Sequence, residues 1–153
     1  MNSGCSTTRS GRELLVIGYG NTLRGDDAVG QRVAEVIENL KLPGVRTLSC
    51  ALLTPELAAA IARATRVVFV DATTEVMSEV AIRRLLPANS SQVFAHSTEP
   101  ATLLAMARDL FEQVPEAWCL AIPVESLKLG EELSALAKRG MQVAVEKIQR
   151  MSQ

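Results

Sequence analysis

A chain of 153 residues, 48% of them apolar and 22% charged, with a formal net charge of −1, has the make-up of one compact domain that buries a core without disulfides or a structural metal. Neither a basic patch for nucleic acid nor a charge excess for a membrane surface is present. The three cysteines, Cys5, Cys50 and Cys119, form no CxxC pair and leave an odd count, which argues against a disulfide framework and fits a reducing cytoplasm.

The first twelve residues, MNSGCSTTRSGR, have no apolar stretch of the signal-peptide kind and are expected as a disordered tail, leaving 13–153 as a single α/β domain. Leu14 to Ile17 are consecutive apolar residues that run into Gly18, Gly20 and a polar loop, predicting a buried strand that leaves the sheet through a tight turn. In that loop Asn21 is placed to bond its own neighbouring amides. Asp26 and Asp27 stand just before a helical pattern that starts at Val29, where free N–H groups and the helix dipole favour carboxylates. Val29, Val33, Val36, Ile37 and Leu40 share one face of that helix, which Pro43-Gly44 ends.

Val45 to Cys50 reads as a second strand, and Thr54-Pro55-Glu56 opens a helix with an N-cap, a proline at its first position and an acid in its first turn. Arg66 to Asp71 is a third strand, apolar on both faces as central parallel strands are, and it ends in a carboxylate. Val80 to Leu86 is a weaker strand stopped by Pro87, and its poor alternation suits a sheet edge. Val93 to Ala95 then bring the chain to His96, and Ser97-Thr98-Glu99-Pro100 opens a helix that runs to Phe111. Trp118 to Ile122 is the last strand, Pro123 to Gly130 a loop, and Glu131 to Met151 a closing amphipathic helix.

Strands alternating with helices over short connections predict a three-layer sandwich, a twisted and mostly parallel sheet of about five strands with helices on both faces. Ligands of such sheets sit beyond the carboxyl ends of the strands. Asp26, Asp27, Asp71 and His96 all fall toward that edge. Several chemistries fail there. The third glycine of a dinucleotide fingerprint would be Leu23, and no acid ends the second strand to hold a ribose. In Gly20-NTLR-Gly25 the phosphate-loop lysine is replaced by Asp26-Asp27, which would repel a phosphate, and no GxSxG elbow exists. A dyad of Cys50 with His96 stays open, although both Cys50 and Cys119 read more simply as small buried hydrophobes. Two carboxylates with one imidazole would make a three-ligand site for a divalent transition metal. Against it stands the simpler reading in which Asp26-Asp27 cap a helix, Asp71 braces a loop and His96 is a bonded loop residue.

Those residues also carry a resemblance. In order and spacing, GYGNTLRGDDAVG, VVFVDA, AHSTEPATLLAMA and AIPVESL resemble the hydrogenase maturation endopeptidases, over nearly the whole chain from Leu14. The resemblance implies an aspartyl-type endopeptidase that trims the C-terminus of a [NiFe] hydrogenase large-subunit precursor and recognises nickel already installed in it. By position the nickel ligands and catalytic residues would be Asp27, Asp71 and His96, with the nickel carried by the precursor and the free enzyme metal-free. The implied partner is that precursor, met by a cytoplasmic monomer; a tail lying along an exposed sheet edge would be bound mainly through backbone hydrogen bonds. The family often has glutamate at the place of Asp27 and glycine at that of Ala28, and the Thr54-Pro55-Glu56-Leu57 helix start is similar to members acting on cytoplasmic bidirectional or NAD-linked hydrogenases. Asp26 would shape or cap, and Asn21 would shape the loop or orient the tail. The alternative is a nickel-sensing chaperone of hydrogenase assembly that cuts nothing.

Overall fold

The computed structural model describes residues 13–77, 79–90, 98–125 and 132–153. Five strands form one sheet in the order β2-β1-β3-β5-β4: β1 is Leu14–Tyr19, β2 Val45–Cys50, β3 Arg66–Thr73, β4 Ala81–Leu85 and β5 Glu116–Pro123. The first four neighbours in that order run parallel, and β4 pairs antiparallel with β5. Helices α1 (Val29–Asn39) and α4 (Ala135–Met151) cover one face, and α2 (Leu57–Arg63) and α3 (Pro100–Phe111) the other. This is the expected mostly parallel three-layer sandwich.

Period-two alternation divides the core between the faces. Leu14, Val16, Val68, Val70, Leu120 and Ile122 turn toward α1 and α4, whereas Leu15, Ile17, Val67, Phe69 and Ala117 turn toward α2 and α3. Tyr19, Asp71 and Ala121 continue the second set by parity, and register places Asp71 beside Ala121. The carboxyl end of β3 therefore brings its acid to the α2–α3 side. Asp71 lies within β3, two residues short of its end, and not after it.

Three expected details are corrected. The closing helix begins at Ala135 and not at Glu131, because Ser134 is its N-cap and accepts a hydrogen bond from Ala137 N–H at 3.1 Å. The helix opened by Thr54-Pro55-Glu56 begins at Leu57, since Thr54 Oγ1 donates to the Glu56 carboxylate at 2.6 Å instead of capping. Asp26 and Asp27 sit in a 3₁₀ turn, Gly25–Ala28, and neither that turn nor α1 has a side-chain cap. The tail (residues 1–12), Val93 to His96 and Glu131 lie outside the described residues.

The start of α1 approaches the sheet closely enough to demand glycine. A Cβ on Gly30 would stand 2.4 Å from the carbonyl oxygen of Val70 and 2.7 Å from that of Tyr19, and one on Gly18 would stand 2.0 Å from the carbonyl oxygen of Gly30. All three obstacles are backbone, which cannot swing aside as a side chain does. Gly30→Ala should therefore cost about 1–3 kcal/mol, the usual range for overpacking, seen as a lower urea midpoint at unchanged slope. An unchanged midpoint would show that α1 can lift from the sheet freely.

Candidate active site

The loop after β1 is built to carry Asp27. Gly20 turns it at a φ of 145°, and a Cβ there would meet the Asp27 carbonyl oxygen at 1.9 Å, so only glycine permits the turn. Asn21 N–H donates to Asp27 Oδ2 at 2.9 Å, and Asn21 Oδ1 accepts from Leu23 N–H at 2.9 Å. The expected loop-shaping role of Asn21 is thus met by its side chain bonding a near amide. Gln31 of α1 closes the turn, with Nε2 donating to Gly20 O at 2.6 Å.

Asp26 and Asp27 are adjacent but do opposite things. Asp26 is only 3% exposed and turns away from the rim. Its Oδ1 accepts from Ser134 N–H at 2.7 Å, and its Oδ2 from Ser134 Oγ–H at 2.7 Å and Glu125 N–H at 3.0 Å. It therefore ties the 3₁₀ turn to the end of β5 and to the first residue before α4. Asp27 remains half-exposed at the rim.

Asp71 lies within electrostatic reach of Asp27. Its carboxyl is pushed above the ordinary range first by burial and further by the negative charge of Asp27, while hydrogen bonds from the Tyr19 phenol and the Ala72 N–H hold it back. Tyr19 is raised in turn, by burial first and then by Asp71. The tyrosine was not singled out among the site residues, although its parity with Ile17 places it on the face that Asp71 shares. His96, the third expected ligand, lies outside the described residues. Among the described residues no group of three His, Cys, Asp or Glu side chains is arranged to hold a metal ion.

From Asp71 an open cleft of about 460 Å³ runs over the ends of β5 and β4 toward the start of α3. The acids Asp71, Glu75 and Glu99 line it together with Arg83 of β4, and Cys119 and Ala121 of β5 lie between the strands of Asp71 and Arg83. Burial pushes both the Cys50 and the Cys119 thiols up, the direction opposite to that of a thiolate nucleophile. The cysteine dyad finds no support in Cys50.

No protein-family model and no curated sequence matches the chain. Its fold is shared with solved structures. The [NiFe] hydrogenase maturation protease HycI from Thermococcus kodakarensis KOD1 is 28% identical, with 94% of each chain covered and a TM-score of 0.74. HybD from Thermococcus kodakarensis, also a [NiFe] hydrogenase maturation protease, has a TM-score of 0.72 at 22% identity over 92% of this chain and 99% of its own. The hydrogenase maturating endopeptidase HybD from E. coli has a TM-score of 0.66 at 22% identity, with 89% of each chain covered. In its motifs, its strand order and its end-to-end match to these structures, the chain is similar to the hydrogenase maturation proteases and shares their fold.

Proposed function

We propose that this protein is an endopeptidase that removes the C-terminal extension of a [NiFe] hydrogenase large-subunit precursor once nickel has been inserted. The observation that carries the reading is that Asp71, with a cleft leading away from it, feels the charge of Asp27 in a fold shared with hydrogenase maturation proteases. In this reading the nickel belongs to the substrate. Held by the precursor, it gains Asp27, Asp71 and His96 as ligands, so that only a metal-loaded precursor docks with its scissile bond in place. Oxygen donors of half-buried carboxylates suit a divalent ion, which would also neutralise the repulsion between Asp27 and Asp71. Cleavage adds water across the peptide bond: a carboxylate would accept a proton from the attacking water, or the substrate's metal would polarise it, the water oxygen bonds to the carbonyl carbon, the C–N bond breaks and the leaving amine collects that proton.

Two further features favour a protein substrate. Leu23, Leu52 and Val76 are 66%, 72% and 105% exposed in the loops that follow β1, β2 and β3, so apolar side chains surround the rim where a folded partner would sit. Among the described residues strand β4 is an edge, with β5 as its neighbour in the sheet, and leaves backbone groups for an extended segment.

The test is processing. Purified protein incubated with nickel-loaded precursor should give a shortened large subunit by mass, and nickel-free precursor should stay whole. An unchanged mass with loaded precursor would reject the peptidase and leave a metal-sensing chaperone.

A further inference from the structure

The cleft beside Asp71 has one described cation on its wall, Arg83. Asp71 lies across from Ala121, Ala121 from Ala81, and Arg83 from Cys119, so Arg83 is two strands over and one two-residue step along. With strands about 4.8 Å apart and about 6.7 Å per two-residue step, the two α-carbons are roughly 12 Å apart, the span of three to four extended residues.

Arg83 is exposed and makes no ion pair or hydrogen bond with the described residues. Its neighbour Arg84, on the opposite face, is already engaged: it pairs with Glu116 at 3.3 Å and stacks over Trp118 at 5.3 Å. Asp71 and Glu75, at and just past the carboxyl end of β3, put two acids on the β3 side of the same cleft. A substrate carboxylate is repelled there and attracted at Arg83, where the planar guanidinium matches it in two-pronged fashion.

We propose that Arg83 is a specificity-determining residue that binds an Asp or Glu side chain of the substrate within about four residues of the scissile bond. The cleft then does more than admit a chain: repulsion at one end and attraction at the other fix its direction and register. This inference rests on the peptidase reading.

The test uses the full chain and nickel-loaded precursor, with Arg83→Gln and Arg83→Glu. Both variants should melt with the parent, since the side chain removed is exposed and bonds none of the described residues. KM should rise about tenfold in Arg83→Gln, and further in Arg83→Glu, at little-changed kcat, as for lost ground-state binding. Changing each acid within four residues of the cut to lysine should yield one precursor that the parent processes poorly and Arg83→Glu processes well. If the parent shortens the precursor while both variants keep its KM, or no acid lies within that span, or no swapped pair recovers, the assignment to Arg83 is wrong and the peptidase reading stands. If the parent itself leaves loaded precursor whole, the peptidase reading fails, and this one with it.

Discussion

Asp71→Asn should lower processing of nickel-loaded precursor by about 10²-fold or more, while the variant melts at or above the parent temperature at pH 7. The two effects have one cause. Burial and the charge of Asp27 hold the Asp71 carboxyl above its ordinary range despite the Tyr19 and Ala72 hydrogen bonds. Folding therefore disfavours the ionised form, so the contribution of Asp71 to stability is full below its unfolded pKa and is lost as pH rises through the folded value. Asparagine keeps an acceptor for the Tyr19 phenol and carries no charge at any pH. Its advantage in stability should be present at pH 7 and should close as pH falls into the carboxylate range near ~4. Asp27→Asn should also lose processing, and it removes the charge that acts on Asp71. A stable, well-folded Asp71→Asn that still shortens the precursor would take Asp71 out of the chemistry, and a processing-competent His96→Ala would do the same for metal sensing.

Much of the frame was legible because local and tertiary signals agreed. Proline at its first position and apolar spacing set α3 at Pro100–Phe111, as read, and the doubly apolar run Arg66 to Asp71 could only be a central strand. The edge position of β4 followed from Pro87 and its poor alternation. Its antiparallel direction also had a signal, since residues 74–80 between β3 and β4 are too few for the crossover that a parallel strand needs. The misread details are those decided by distant residues. Nothing near Ser134 says that α4 waits for it, because what fixes Ser134 is Asp26, 108 positions away. The acidic pair reads locally as two helix caps, yet one carboxylate is spent on the far loop and the other on Asn21 N–H. Tyr19 lies inside GYGNTLRGDDAVG but nothing local gives it a role, Arg83 has no motif, and only the register of neighbouring strands brings them to Asp71 and its cleft.

Asp26→Ala should be the most damaging of the rim substitutions for stability. Its carboxylate is nearly water-free and accepts hydrogen bonds from Ser134 N–H, Ser134 Oγ–H and Glu125 N–H. Alanine leaves these donors facing a small cavity, and buried donors without a partner cost about 1–3 kcal/mol each, partly recovered if water enters. A loss of about 3 kcal/mol or more is expected, equivalent to roughly 6–12 °C for a chain of this size. Asp26→Asn keeps the shape but turns an amide N–H toward one of the donors, so it should fall between alanine and the parent. On the proposed reading the damage should spread to function, because Asp26 holds the 3₁₀ turn that carries Asp27, and a displaced carboxylate would slacken the proposed grip on substrate metal. Thermal melts of both variants, paired with processing of loaded precursor, separate the possibilities. If Asp26→Ala melts with the parent, the latch between the acidic turn and α4 contributes nothing to the fold. If it melts early but processes normally at low temperature, the latch holds the fold without aligning Asp27.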